Sequence, residues 1–446
     1  MGRWAARCQA LGCSPMTRLA ASRHAALTAV SDARRRDGRI RDIIRAHRVF
    51  QGLSAADRAL ATRLAIGAVS ARDLLDELIA EHARRPSSLE PRVRDALRIA
   101  AFESLYLETP REVAVSQGVE LVRSVAPRAT ALANALLRRM GSELGPRIDA
   151  ARAALAVRTG CLDELRLISG LPLWLLDRIS HDRGAASATS LAAANLEPAP
   201  VYVFSEDRAL LAPFSPLPTD LDACFELQAP GGLFESGLVR SGAVVVSDLS
   251  AQRICARIAT YAPASILEVG QGSGTKTLII ARRCAADITA IDVLGSKVAA
   301  ARGRLGRAGL GNRATSLAFD GTRLGGQGVP PDLDRLFDLV FVDAPCSGTG
   351  TMRRHPEIAS ALEPKSVSEL AGLQLKLLSA ASSRVVPGGR LVYSTCSVLI
   401  QENEAVVDAF LASAAGARFM RAGADVQSLP APGAPDGHFH AILVCE

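Results

Sequence analysis

Two cysteines stand in turns that could do chemistry. Asp343-Ala-Pro-Cys346-Ser-Gly-Thr-Gly350 follows the apolar run Phe337-Asp-Leu-Val-Phe-Val, and Tyr393-Ser-Thr-Cys396-Ser397 follows Arg390-Leu-Val. A free cysteine is often only a small buried apolar side chain. Two of them, each at the end of an apparent strand in a Pro/Gly/Ser-rich turn, read better as a reactive pair. A thiolate adding to carbon 6 of a cytosine makes carbon 5, otherwise a poor nucleophile, enamine-like and reactive. A carboxylate near N3 supports that addition by sharing a proton with the ring, and a base must later remove the carbon 5 proton so that the thiol can leave. A nucleophilic cysteine, a second cysteine and Asp343 cover these needs. The residues alone do not say which cysteine attacks.

A glycine-rich loop lies upstream. Glu268-Val-Gly270-Gln271-Gly272-Ser273-Gly274-Thr275-Lys276-Thr277 follows the strand-like Ser265-Ile-Leu-Glu-Val269 and opens a helix near Lys276. Glycines let such a loop turn sharply and approach a ligand closely. Asp292, at the end of the next strand and 24 residues after Glu268, can accept hydrogen bonds from both hydroxyls of a ribose. Asp320, after a third strand ending Leu317-Ala-Phe, can accept one from an adenine amino group. Nicotinamide-dependent enzymes share the loop and the first carboxylate, so only the cysteine turns separate a methyltransferase from a dehydrogenase.

The elements that position these residues alternate strand and helix from about 248 to 446, which predicts an α/β, doubly wound, Rossmann-like sheet. In such a sheet the carboxyl ends of the strands form the ligand crevice. Residues 22–140 read as an all-α bundle: apolar residues recur at helical spacing in Leu60, Leu64, Leu74, Leu75, Leu78 and Ile79. Ser54-Ala-Ala-Asp57 resembles a capping box, and Pro86, Pro91, Pro110 and Pro127 fall between helices. Residues 141–247 form a helical connector followed by a small α+β module, with β-prone Pro200–Phe204 and Ala243–Val246 between Pro and Gly turns. Residues 1–21 are expected to be a disordered arm; the first 31 residues carry no acid, and Met16 offers a second start.

The net charge of +7 favours a polyanionic partner. Nearly all of it is arginine, since lysine occurs only at 276, 297, 365 and 376. In the helical part, Arg92, Arg94, Arg98, Arg138 and Arg139 are candidates to meet phosphates. Nine cysteines without a CxxC pair speak against a zinc site or a disulfide framework and for a reducing, cytoplasmic setting. No apolar run is long enough to span a membrane.

Several stretches resemble the Sun family of RNA 5-methylcytosine methyltransferases: Asp343 to Pro356, Leu373-Gln374, Pro387-Gly-Gly389, Tyr393 to Ser397, and Gln401-Glu-Asn-Glu-Ala405. Leu53 to Thr62, Arg94-Asp-Ala-Leu-Arg98 and Ala133 to Arg138 are similar to a NusB-like RNA-binding domain. The resemblance covers about residues 22–446. It implies S-adenosylmethionine as cofactor, held by Gly270 to Lys276, Asp292, Asp320 and Asp343. It implies Cys396 as nucleophile, Cys346 as the thiol that helps release product, and Asp343 as the carboxylate near cofactor and base. Small-subunit ribosomal RNA is the implied partner, and a monomer is expected.

Three stretches depart from that family. Its cofactor loop reads Asp-x-Cys-Ala-Ala-Pro-Gly-Gly-Lys-Thr, where this chain has Gln271-Gly272-Ser273 in place of Ala-Ala-Pro. Val203-Phe204-Ser205 stands near an expected Arg-x-Asn, and Ser247-Asp248-Leu249-Ser250-Ala251 replaces Gln-Asp-Glu-Ala-Ser. The altered loop admits a second reading, an RNA-binding ribosome assembly factor with impaired catalysis.

Overall fold

The computed structural model describes residues 19–83, 86–155 and 160–446. The arm expected over 1–21, with Cys8, Cys13 and Met16, falls almost wholly outside them. The chain forms two compact units, one of residues up to Glu197 with Met352–Ala361, the other of Pro198–Thr351 with Leu362–Glu446.

The first unit is helical. Ser54 accepts from the Asp57 amide at 3.1 Å and so caps the helix Ala55–Ser70. Pro91 opens the helix Pro91–Tyr106, where its missing N–H costs nothing. That helix is the bundle's axis and is buried along most of its length. The tip of the Phe102 ring packs against Gly67, where a Cβ would come within 2.0 Å of it, so only glycine lets the two helices approach this closely. The helix Thr130–Leu155 runs without interruption through the boundary expected at residue 140, and it contains Pro146.

Buried ion pairs thread this bundle. Arg23 donates to Glu103 at 2.9 and 2.5 Å. Asp95, wholly buried, accepts from Ser31, Arg34 and Arg98, each at 3.0 Å. Arg98 also donates to Asp76, which corrects its reading as a phosphate contact: its guanidinium balances a carboxylate inside the bundle. Arg92 and Arg138 stay exposed. The segment Met352–Ala361 belongs here too. Arg41 donates to the Arg354 carbonyl at 2.6 Å, and Arg72 to that of Ser360 at 3.1 Å.

The second unit begins with a small antiparallel sheet of β1 (Tyr202–Phe204), β2 (Pro216–Pro218), β3 (Cys224–Leu227) and β4 (Val245–Val246), in the order β2-β3-β1-β4. A larger sheet follows: β5 (Ser265–Val269), β6 (Asp287–Asp292), β7 (Ala314–Ala318), β8 (Phe337–Asp343), β9 (Val385–Thr395), β10 (Phe419–Arg421), β11 (Val426–Gln427) and β12 (Phe439–Cys445). Its order is β10-β12-β9-β8-β5-β6-β7, with β11 on β12. Strands β5 to β9 run parallel, as continuous apolar runs covered by helices should. The last strands are antiparallel, where the sequence suggests only more strand–helix alternation. β12 alternates buried and half-buried residues, the period-two pattern of a strand covered on one face.

The strand order reverses beside β5, whose neighbours are β6 and β8. A crevice forms at such a switch point, outside the carboxyl ends of the strands. Among the described residues no helix is long and apolar enough to cross a membrane.

Removing Glu103 would strand Arg23 in the core without its partner. Glu103→Ala should therefore cost about 3–5 kcal/mol in denaturant unfolding, whereas Arg139→Ala, at an exposed pair with Glu143, should leave the transition in place. Equal shifts would deny the buried pair its role.

Candidate active site

The ends of β5, β8 and β9 bring the sequence candidates together. The glycine loop turns through left-handed backbone at Gly270, Gly272 and Gly274 (φ 89°, 57° and 77°). A Cβ at Gly270 would stand 2.2 Å from the Asp343 carbonyl, so β5 and β8 can end this close only with glycine there. A Cβ at Gly272 would meet nothing within 4 Å, which leaves that side of the loop open. The amides of Gly270 and Gln271 donate to the Ile291 carbonyl, and that of Gly272 donates to Asp292 at 2.9 Å. Asp292 also accepts from the Leu294 amide at 2.9 Å. Gln271 donates to Thr277 from a buried position, and Thr275 accepts from Arg304 at 2.6 Å. Ser273 is half-buried.

Lys276, in the first turn of the helix Thr275–Arg283, reaches across to β8. Its Nζ donates to Asp343 Oδ1 at 2.7 Å and Oδ2 at 2.6 Å. Burial opposes the charge on Lys276, but the Asp343 carboxylate more than offsets this and holds the ammonium above its ordinary range. Glu268, on β5 before the loop, is fully buried, and beyond the nearby Thr277 hydroxyl its oxygens find no hydrogen-bond partner among the described residues. Burial pushes its carboxyl up to about 8.

These features suit S-adenosylmethionine. The loop is free of side chains where a ligand backbone would approach, Asp292 retains lone pairs for a ribose, and a sparsely partnered buried carboxyl suits a cationic ligand. Asp320 stands further out. It follows β7, is exposed, and accepts from the Thr322 amide and hydroxyl at 3.0 and 2.7 Å. No hydrogen bond ties it to the other candidates.

The thiols meet at the opposite end of this row. Cys346 Sγ and Cys396 Sγ are 3.2 Å apart, and the Cys396 amide donates to Cys346 Sγ at 3.3 Å. Their hydrogen bond makes them unequal. Either sulfur could donate; with Cys346 as donor, the bond holds Cys396 below the ordinary thiol range, helped by the charge of Lys276. The same bond, with burial, raises Cys346 well above that range.

Beneath the thiols is a network whose role the sequence did not disclose. Glu402, fully buried, accepts from the Ser347 amide (2.7 Å), the Ser347 hydroxyl (2.5 Å), Ser397 (2.6 Å) and Gln374 (3.0 Å). Gln374 also donates to the Pro345 carbonyl at 2.9 Å, and Asn403 donates to the Ser397 carbonyl at 3.0 Å. The polar Leu373-Gln374 and Gln401 to Ala405 stretches were the only signal.

A model of the 16S rRNA methyltransferase RsmB/F family matches residues 259–441, and a model of the NusB family matches residues 20–142. The ribosomal RNA small subunit methyltransferase B of Sodalis glossinidius is 32% identical over 421 residues, covering 88% of this chain and 91% of the relative. PH0851, a crystal structure, has the same fold at a TM-score of 0.74 and 19% identity, covering 95% of this chain and 98% of its own. NSun6 from Pyrococcus horikoshii with SFG gives 0.52 at 17% identity, covering 61% and 98%. With its NusB-like helices, its glycine loop and its paired cysteine turns, the chain belongs to the ribosomal RNA small subunit methyltransferase B family.

Proposed function

We propose that this protein methylates carbon 5 of a cytosine in small-subunit ribosomal RNA, through a covalent bond between Cys396 and carbon 6. The observation that carries the reading is the 3.2 Å thiol contact at two neighbouring strand ends beside Asp343. The small-subunit RNA comes from the activity named for the relatives, and such a target implies work in the cytoplasm.

S-adenosylmethionine, when bound, supplies a methyl group on a cationic sulfur. Gly270 to Lys276, Asp292, Asp320 and Asp343 are assigned to hold it. The Cys396 thiolate adds to carbon 6: the S–C bond forms, the ring's double-bond pair shifts to carbon 5, and N3 shares a proton with Asp343. Lys276 holds that carboxylate in place. Once carbon 5 carries the methyl group, its proton must leave.

Cys396 is by then bonded to carbon and no longer holds the Cys346 proton, so the largest cause of the raised Cys346 value is gone. Cys346 can give its proton to solvent and take the one from carbon 5. The C–H electrons restore the ring double bond and expel Cys396 as thiolate. In the helical unit, exposed Arg92 and Arg138 are suited to phosphates and to affinity that falls with salt.

Asp292→Ala should weaken cofactor binding at least about tenfold in calorimetry, since two hydrogen bonds of about 1 kcal/mol each are at stake. Unchanged binding would remove Asp292 from the cofactor site. For the thiols, Cys346→Ala should accumulate a protein–RNA adduct stable to denaturing electrophoresis. Cys396→Ala should form none and lose activity beyond the roughly 10²–10⁴-fold due to one acid or base. The opposite pattern would make Cys346 the nucleophile. No adduct with either variant, in folded protein that binds RNA, would favour the assembly-factor reading that the altered loop admits.

A further inference from the structure

The cysteine turns lie beyond the ladder that aligns their strands. The last pair between β8 and β9 is Asp343 with Ser394, followed by one bond from the Ala344 amide to the Ser394 carbonyl at 2.9 Å. Cys346 and Cys396 come two residues later, 50 residues apart in sequence. Past that point, strand pairing no longer dictates how far apart the sulfurs stand.

Beyond the ladder the turns touch where the Gly350 amide donates to the Cys396 carbonyl at 2.9 Å and Ser347 donates to Ser397 at 3.3 Å, and one carboxylate gathers both. Glu402, in the short turn Ile400–Glu402, accepts from the residue after each cysteine: the Ser347 amide and hydroxyl on one side and the Ser397 hydroxyl on the other. Through Gln374, which donates to both Glu402 and the Pro345 carbonyl, it also reaches the residue before Cys346. Thr349 extends the join, contacting Ser397 at 3.1 Å and accepting from the Val398 amide at 3.0 Å. The carboxylate is fully buried, so water cannot replace a lost partner.

We propose that Glu402 is a positioning residue for the thiol pair: it ties the Cys346 turn to the Cys396 turn and so fixes the contact through which one thiol donates to the other. This rests on the roles given to the thiols above. The charged groups around the pair are Lys276 and Asp343 on one side and Glu402 on the other, with the Tyr393 hydroxyl donating to the Glu402 carbonyl at 2.6 Å. Lys276 favours a thiolate at Cys396, whereas Glu402 opposes ionisation of either thiol. The inequality of the thiols therefore depends on their contact, and the contact depends on the clamp. Glu402→Asp keeps the charge but is one methylene too short to reach both turns. Glu402→Gln keeps the length but loses the charge.

The test is alkylation of the full-length protein by iodoacetamide across a pH series, with Cys346 and Cys396 resolved by peptide mass spectrometry. It needs neither RNA nor methyl transfer. In the native protein Cys396 should react first, with a midpoint below that of an ordinary thiol. In Glu402→Asp, which keeps the charge, the midpoint should rise by about one unit and the Cys396-to-Cys346 rate ratio should fall about tenfold, with the fold and S-adenosylmethionine binding retained. In Glu402→Gln, where loss of the charge lowers both thiols alike, the rate ratio is the readout and should fall in the same direction. A native midpoint and ratio in folded Glu402→Asp, or a native ratio in folded Glu402→Gln, would overturn the positioning role while leaving the thiol assignment standing. Equal reactivity in the native protein would overturn the thiol assignment, and this proposal with it. Should both Glu402 variants fail to fold, Ser397→Ala removes one arm of the clamp: a smaller shift in the same direction supports the proposal, and none refutes it.

Discussion

Lys276 and Asp343 join two loops that the sheet alone would leave separate. The ammonium comes from the first turn after the glycine loop, and the carboxylate ends β8, three residues before Cys346. Both oxygens of Asp343 are within 2.7 Å of Nζ, and both side chains are largely shielded from water. Loss of either partner would leave a poorly solvated charge, which costs far more than the pair itself contributes. The same ammonium lowers Cys396. One ion pair thus relates the loop assigned to the cofactor, the carboxylate assigned to the base and the thiol assigned to attack.

The sequence of the loop becomes intelligible at three positions. Gly270 is demanded by the Asp343 carbonyl, which leaves no room for a Cβ. Gly272 faces open space in left-handed backbone, where a side chain would carry strain. Gln271 turns inward to Thr277 and so fills space beneath the loop instead of lining its mouth. Glu268, with little but the Thr277 hydroxyl to pair with, is buried beside it, an arrangement costly in a resting protein.

Much of this was legible in the sequence because it is local. The Ser54 cap, the prolines at helix starts, the apolar parallel strands and the glycine loop each announce themselves within ten residues. The two cysteine turns were legible for the same reason, and strand topology then brought them together. What was hidden depends on partners distant in sequence. Arg98 looks like any surface arginine until the fold brings Asp76, 22 residues upstream, to its guanidinium. Glu402 sits in a polar stretch, and only the fold brings Ser347 and Gln374 to it. The helix Thr130–Leu155 contains Pro146 and crosses an expected boundary, because helical periodicity does not say where one packed unit ends. The antiparallel strands after β9 depart from the strand–helix alternation expected to residue 446, and the period-two burial of Phe439–Cys445 emerges only in the fold.

The segment Met352–Ala361 begins two residues after Gly350, in the stretch that follows the Cys346 turn, yet it packs in the helical unit through Arg41 and Arg72. The polypeptide therefore leaves the catalytic unit, contributes a short piece to the helices and returns at Leu362. The two units are thus discontinuous in sequence. A truncation that removed residues 1–197 would not yield a clean catalytic fragment, since it would strand ten residues whose partners are gone, six positions from a reactive thiol. Shuffling this catalytic unit onto another RNA-binding module would meet the same obstacle: the chain passes from one unit to the other at three points, not one.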